Sequence, residues 1–219
     1  MVRGLFVTGT DTNVGKTVVS AALMLRYRGQ VRLRYWKAIQ TGIEQDDDTA
    51  EVVRLVECES DDVLEAGVGL QRPLSPHLAA RLSGVAIELQ PLVDTAKRSD
   101  RPLIVEGAGG ALVPVNDSDM MADLMIGLGL PAVVVARSSL GTINHTLLTL
   151  EALRRRSIAI AGVVLVGPPN ADNREAIEQY GCVAVLGELP RLEPLTPEAL
   201  ASWAASGLDP EARLLEHMR

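Results

Sequence analysis

The sequence has few cysteines, and their placement gives no basis for a fold held together by disulfides or zinc. The 219 residues include two cysteines, Cys58 and Cys182. They lie far apart, and neither belongs to a Cys-x-x-Cys pair of the kind that structural zinc sites use. We expect both thiols to be reduced and buried.

Long apolar runs and a basic surface are also missing. No apolar run reaches the roughly 18 residues of a membrane-spanning helix, and the opening MVRGLFVTG meets a glycine too early for a signal-peptide core. The formal net charge is −7, and the lysines and arginines are scattered rather than clustered. Such a chain lacks the electrostatic footprint of a nucleic-acid-binding protein. We therefore expect a cytoplasmic protein that has neither a membrane nor nucleic acid as a partner.

What the sequence does have is an alternation of short apolar runs with helical stretches. The apolar runs cover 5–8, 103–105, 132–136, 163–166 and 183–186, and they show no polar alternation. Runs of this kind predict strands that are covered on both faces. Helical periodicity appears at 17–27, 143–155 and near 197–205, and the final residues are expected to fray. The pattern predicts one α/β domain of P-loop NTPase type over 1–219, with a doubly wound, mainly parallel sheet and helices on both faces.

A glycine-rich segment between the first predicted strand and the first helix predicts a phosphate-binding loop. It reads GTDTNVGKT over 9–17, with five residues rather than the usual four between Gly9 and Gly15. Backbone N–H groups at such a helix start converge on phosphate oxygens. Lys16 can bridge the β- and γ-phosphates, and Thr17 can offer its hydroxyl to Mg²⁺. A tight turn without a ligand is the alternative, but it has no need of Gly-Lys-Thr at the start of a helix.

Charged residues follow the next predicted strand. Lys37 lies at the end of that strand in RLRYWKAIQTG, with Thr41 a short turn later. A lysine there either faces the phosphates or is an ordinary solvated lysine. The following loop contains three adjacent aspartates, Asp46, Asp47 and Asp48. This loop is either a solvated acidic segment or the source of one carboxylate that completes a magnesium site with Thr17.

A second glycine-rich segment, VEGAGG, covers 105–110 after another predicted strand. Glu106 offers a further oxygen ligand for a metal, and the glycines let the backbone approach a nucleotide closely. By itself the segment could be an ordinary loop. In combination with Lys16 and Thr17, it predicts a nucleotide site that holds Mg²⁺.

Together these segments resemble the dethiobiotin synthetase family of the P-loop NTPase class. The matching segments are GTDTNVGKT, WKAIQTG, DDDTAEV, SPH at 75–77, VEGAGG, LGTINHTLLTLEAL and LGELP, in the family's order and up to about residue 192. The resemblance implies that carbon dioxide is joined to two neighbouring amines of 7,8-diaminononanoate at the expense of ATP. One amine takes up carbon dioxide as a carbamate, whose oxygen attacks the γ-phosphate to give a carbamic-phosphoric anhydride. The second amine then closes a cyclic urea and expels phosphate.

The resemblance also implies a role for each matching residue. The catalytic groups would be Thr12, Lys16 and Lys37, and the Mg²⁺ ligands would be Thr17, Asp48 and Glu106. The nucleotide would contact Asn13, Val14, Gly15, Lys16, Thr17, Asp48, Glu106, Gly107, Ala108 and Gly109. The diamine would contact Thr12, Thr41, Ser75 and Pro76.

The family is a homodimer, so the resemblance implies that the active site lies at an interface between subunits. The substrate carboxylate would meet a helix start of the partner subunit, which in this sequence consists of Gly141, Thr142, Ile143 and Asn144. A helix N-terminus suits a carboxylate. We expect His77 and His145 to pack or to form structural hydrogen bonds rather than to titrate in the reaction.

One position departs from the family pattern. Many members carry Asn-Asp at the end of the strand that here reads GVVLVGPP, and the asparagine hydrogen-bonds adenine. Val166 and Gly167 occupy these positions. Two alternatives follow: the site accepts several nucleotides, or it reads the base through the backbone of Pro190, Arg191 and Leu192.

Other functions fit the same fold. A partition-type or iron-protein-type ATPase would act as a dimeric switch, but such proteins typically carry an additional lysine early in the loop, and TGTDTNVGKT has none before Lys16. An amide-forming relative would need a glutamine-hydrolysing domain, for which the chain has no room. A nucleotide-binding module without catalysis would leave Lys37, Thr41 and the carboxylates without a role.

Overall fold

The computed structural model describes residues 2–219, which form eight strands and eight α-helices. The strands are β1 (Gly4–Gly9), β2 (Arg34–Lys37), β3 (Ile39–Thr41), β4 (Val68–Leu70), β5 (Leu103–Gly110), β6 (Ala132–Arg137), β7 (Ile160–Val166) and β8 (Val185–Leu189). Six of them form a parallel sheet in the order β2-β5-β1-β6-β7-β8, and β3 pairs with β4 in a small second sheet.

The helices connect these strands and cover both faces of the large sheet. They are α1 (Lys16–Tyr27), α2 (Asp48–Val56), α3 (Pro76–Ser83), α4 (Leu89–Lys97), α5 (Met121–Leu128), α6 (Thr142–Arg154), α7 (Ala171–Gly181) and α8 (Pro197–Gly207). Successive strand residues point to opposite faces, so Leu5 and Val7 pack in the core shared by α1, α2 and α8, whereas Phe6 packs in the core shared by α4 to α7. The predicted doubly wound parallel sheet is confirmed.

Polar side chains at the loop ends set where several helices begin. The Asp47 carboxylate accepts a hydrogen bond from the Ala50 N–H at 3.0 Å and caps α2. Asn170 caps α7 in the same way, and Thr196 caps α8 just before Pro197. These side chains satisfy N–H groups that the first turn of a helix leaves without a partner.

Three predicted boundaries were wrong. RLRYWKAIQTG forms two strands rather than one, because β2 joins the large sheet and β3 leaves it to pair with β4, so Thr41 ends a strand instead of lying in a turn. The predicted strand at 183–186 is β8, which begins and ends later. VEGAGG does not follow a strand that ends at 105. It is part of β5, whose pairing with β1 extends to Gly110 opposite Gly9.

The expectation of a frayed C-terminus was also wrong. Residues Arg213–His217 form a 3₁₀ helix, and the neighbouring Met218 is fully buried. Asp209 anchors this segment: its carboxylate accepts a hydrogen bond from the Tyr27 hydroxyl at the end of α1 and another from the Leu214 N–H at 2.8 Å. Apolar burial and a satisfied buried carboxylate therefore order the chain end.

The cysteines are free thiols, as expected, but they are less buried than expected. Cys58 is half-buried, and Cys182 is exposed where α7 ends in a left-handed residue. Within residues 2–219, no helix combines the length and apolar character needed to cross a membrane.

Candidate active site

The loop between β1 and α1 has the geometry of a phosphate-binding loop. Asn13 and Gly15 both have positive φ, 54° and 96°, and Gly15 precedes the first residue of α1. The Lys16 side chain is buried and folds back over the loop, where its Nζ donates to the Asp11 carbonyl oxygen at 3.2 Å. The sequence prediction for this loop agrees with the structure, since it joins a strand to a helix start.

Next to the loop, one lysine, two carboxylates and one hydroxyl form a connected cluster. Lys37 Nζ lies 2.7 Å from Glu106 Oε1 and 2.6 Å from Asp48 Oδ2. The Thr17 hydroxyl donates to Asp48 Oδ1 at 2.7 Å, and it also lies 3.1 Å from Glu106 Oε1. Of the three adjacent aspartates, Asp48 is thus the one whose carboxylate contacts Thr17. Asp48 is the first residue of α2, and Asp47 directly before it caps the helix.

Mutual contact shifts the ionisation of these groups. Burial alone would lower the pKa of Lys37, but the charges of Glu106 and Asp48 outweigh it and raise the pKa. Burial alone would raise the pKa of Asp48, and Lys37 reverses this so that the pKa lies below its usual value. For Lys16, burial and the nearby Lys37 charge lower the pKa, which Glu106 and Asp48 only partly offset. The two carboxylates thus favour the charged form of Lys37, whose Nζ contacts both of them.

Three side chains around this site were missed in the sequence analysis. The buried Tyr35 hydroxyl donates to Glu106 Oε2 at 2.9 Å, and burial followed by the Glu106 charge keeps its pKa well above the usual value. Arg137, at the end of β6, lies 2.6 Å from the Asp11 carboxylate in the phosphate loop. Gln40 Nε2 donates to Asp47 Oδ1 at 3.2 Å. For Tyr35 a signal existed, because a residue two positions before Lys37 in a strand faces the same side of the sheet.

A cleft of about 500 Å³ opens beside the phosphate loop. Thr12 lines this cleft, together with the 110–113 segment at the end of β5 and one side of α6. The wall on α6 consists of His145, Leu148, Thr149 and Ala152. His145 is exposed on the cleft wall and His77 is half-buried, and the expectation that both have structural roles stays a prediction. A space of this size, lined by both polar and apolar groups, suits a small substrate.

The residues predicted to contact the diamine and its carboxylate lie on β3 and at the starts of α3 and α6. Thr41 ends β3, and Ser75 and Pro76 begin α3, which packs on β3 and β4. The 141–144 segment begins α6 with Gly141 at a φ of 94°, one turn before the part of α6 that lines the cleft.

The residues predicted to lie near the nucleotide base, at 166–167 and 190–192, are found where β7 and β8 end. Val166 packs against the phosphate loop so closely that a Cβ on Gly15 would lie 3.1 Å from a Val166 methyl group. The Gly167 N–H donates to the Leu189 carbonyl oxygen at 2.8 Å, which joins the two strand ends. Gly107, Ala108 and Gly109 belong to β5, and Pro190, Arg191 and Leu192 follow β8.

The cluster fits a magnesium ion. Mg²⁺ prefers oxygen ligands and is commonly held by one or two carboxylates together with waters and substrate phosphates. Thr17, Asp48 and Glu106 supply two carboxylates and one hydroxyl within mutual contact distance. Within residues 2–219, no group of three His, Cys, Asp or Glu side chains gathers as a metal site, so an ion here would depend on the hydroxyl and on phosphate oxygens.

Comparison with known proteins decides the family. A family model described as "AAA domain" matches residues 3–199. The chain is 52% identical over 199 residues to the ATP-dependent dethiobiotin synthetase BioD of Paramagnetospirillum magneticum. The aligned region covers 91% of this chain and 93% of that protein. The chain belongs to the dethiobiotin synthetase family. The family member from Nitrobacter hamburgensis is 46% identical, over 93% of each chain.

Among solved structures, the MinC:MinD cell division complex of Aquifex aeolicus contains a similar chain. It has a TM-score of 0.62 at 11% identity, and the match covers 100% of this chain and 97% of that one. At this identity the likeness concerns the fold alone. This dethiobiotin synthetase family member therefore shares the arrangement of strands and helices with MinD-type ATPases and shares its sequence motifs with the synthetases.

Replacing Lys37 with methionine tests whether a cation holds the cluster together. We expect the free energy of unfolding in EDTA to fall by about 3 kcal/mol, because the variant leaves two neighbouring carboxylates without their counter-charge. Added Mg²⁺ should stabilise Lys37→Met more than the wild type, as measured by urea denaturation. The matched control is Lys97→Met, at the exposed end of α4. If Mg²⁺ stabilised the wild type, Lys37→Met and Lys97→Met equally, Lys37 would not be the cation that holds the cluster together.

Proposed function

We propose that this chain is an ATP-dependent dethiobiotin synthetase, which carboxylates 7,8-diaminononanoate with carbon dioxide and closes the ureido ring, releasing ADP and phosphate. Its place in biotin biosynthesis follows from this reaction. The proposal rests above all on the position of Lys37: a buried ammonium lies at the phosphate loop between Asp48 and Glu106. The family relationship supplies the substrate class, which the site geometry accommodates.

The charges of the site suit the attack of an anion on a triphosphate. A carbamate that approaches the γ-phosphate is repelled by about 4 kcal/mol for each pair of unit charges 4 Å apart at an effective dielectric constant near 20. Lys16 and Lys37 offset this repulsion and the charge that develops during transfer. Thr12, which lines the cleft, would hold the carbamate next to the phosphate loop. Catalysis is therefore electrostatic and positional, with no covalent enzyme intermediate.

The metal is part of the same proposal. Thr17, Asp48 and Glu106 would hold Mg²⁺, which supplies positive charge against the phosphate oxygens when bound. Thr41, Ser75 and Pro76 would lie along the diamine.

Base recognition is expected to be permissive. Val166 and Gly167 present no polar side chain, and the Gly167 N–H already bonds to Leu189. The Arg191 side chain is exposed and paired with Glu193. The base would therefore be held by backbone groups of 190–192 and by packing, whereas the phosphates account for most of the binding energy.

The active site would be completed by a second copy of the chain. Two leucines that line the cleft are exposed, Leu112 by 50% and Leu148 by 57%, and Leu140, just before α6, is completely exposed. Such a cluster of exposed apolar side chains next to a substrate cleft is typical of an interface. In the homodimer, the 141–144 helix start of the partner would reach the substrate carboxylate.

Phosphate release from the purified protein with Mg²⁺, ATP and bicarbonate tests the reaction. We expect phosphate to appear only when 7,8-diaminononanoate is added and to match the ring-closed product one for one. Lys37→Met should lower kcat by about a hundredfold or more, because it removes a preorganised charge at the transferring phosphate. Lys97→Met should have the wild-type rate. Hydrolysis that is indifferent to the diamine would refute the proposal and favour a switch ATPase.

The same assay with CTP and GTP measures base selectivity. We expect kcat/KM for both to lie within about tenfold of the ATP value, because no side-chain hydrogen bond distinguishes the bases. A preference for ATP well beyond this range would show that backbone groups read the adenine.

Leu148→Arg tests the interface. We expect the variant to be monomeric in sedimentation experiments, because a charge replaces an apolar contact. We also expect its KM for the diamine to rise by about tenfold or more, because the carboxylate loses the partner's helix start. Leu82→Arg alters a similarly exposed leucine, 49% accessible, on α3 and serves as the control. A Leu148→Arg dimer with an unchanged KM would contradict this part of the proposal.

A further inference from the structure

The two oxygens of Glu106 have different neighbours, although the side chain is fully buried. Oε1 faces the phosphate loop, where Lys37 lies 2.7 Å away and the Thr17 hydroxyl 3.1 Å away. Oε2 points the other way and accepts a hydrogen bond from the Tyr35 hydroxyl at 2.9 Å. The carboxylate is thus oriented by partners on both sides.

Tyr35 is well placed to fix this orientation. It precedes Lys37 by two residues in β2, so both side chains lie on the same face of the sheet, and its ring is fully buried in the core that includes α1 and α2. A tightly packed aromatic ring has little freedom to move. The terminal torsion of a glutamate is broad by comparison, so a carboxylate without such a partner can rotate and exchange its oxygens.

We propose that Tyr35 is a positioning residue whose hydroxyl holds Glu106 so that only Oε1 faces the cation side of the site, and that this sets how strongly Mg²⁺ promotes nucleotide binding. The inference rests on the magnesium site of the proposed function. Its consequence is that Glu106 offers one oxygen, beside Asp48 Oδ1, and leaves Lys37 in place instead of turning both oxygens toward the cation.

The chain offers a matched control in Tyr27. Its ring is also fully buried in the same core, and its hydroxyl also donates to a carboxylate, that of Asp209. Tyr27 ends α1 whereas Lys16 begins it, which places Tyr27 roughly 16 Å from the phosphate loop along the helix axis. Tyr35→Phe and Tyr27→Phe therefore remove equivalent hydroxyls, one at the site and one remote from it.

The test is calorimetric titration of each protein with the non-hydrolysable analogue AMPPNP, in excess Mg²⁺ and in EDTA, alongside urea denaturation. We expect both variants to be folded and somewhat less stable than the wild type. The quantity compared is the AMPPNP dissociation constant in EDTA divided by that in excess Mg²⁺. In Tyr35→Phe this ratio should be about tenfold smaller than in the wild type, which is the equivalent of one hydrogen bond to a charged group. Tyr27→Phe should keep the wild-type ratio.

Two other outcomes would have distinct meanings. If the wild type shows a clear Mg²⁺ effect and Tyr35→Phe shows the same effect as Tyr27→Phe, Tyr35 is an ordinary core tyrosine and the inference is overturned while the proposed function stands. If AMPPNP binding to the wild type is indifferent to Mg²⁺, the proposed metal site fails and the role of Tyr35 fails with it.

Discussion

The buried ion pairs of Lys37 connect the parts of the site that come from separate elements. Its ammonium joins β2 to Asp48 at the start of α2 and to Glu106 in β5. Two carboxylates this close together destabilise each other unless a positive charge lies between them, and burial strengthens that effect. Lys37 thus links the start of α2 to the sheet and lies beside the Asp48 carboxylate that contacts Thr17, in addition to the apolar packing of α2.

The strand order makes these contacts possible. β5 lies between β1 and β2, and Glu106 is in register with Lys37 on one side and with Val7 on the other. The phosphate loop follows β1 directly, so Glu106 is adjacent to both the loop and Lys37. In a parallel sheet the carboxyl ends of all strands meet at one edge, which brings residues that are distant in sequence to a common site. A strand inserted between β5 and either of its neighbours would separate Glu106 from the phosphate loop or from Lys37.

The sequence was informative where the chemistry is local and less so where it depends on packing. The phosphate loop is a continuous segment, and its residue pattern predicts its structure directly. The residue pattern alone could not choose among Asp46, Asp47 and Asp48, because three identical neighbours differ only in where α2 begins; the family resemblance pointed to Asp48, which is the one that contacts Thr17. The order at the chain end was also not predictable locally, since it depends on Asp209 meeting Tyr27, a contact across 182 residues.

The charge balance of the site bears on the further cation that the proposed function requires. The site combines two basic side chains, Lys16 and Lys37, with two acidic ones, Asp48 and Glu106, so their formal charges balance. A triphosphate and a carbamate that enter such a site bring negative charge that the protein has not compensated in advance. Under the proposed function, further positive charge would arrive with the nucleotide, as a divalent cation held by phosphate and carboxylate oxygens.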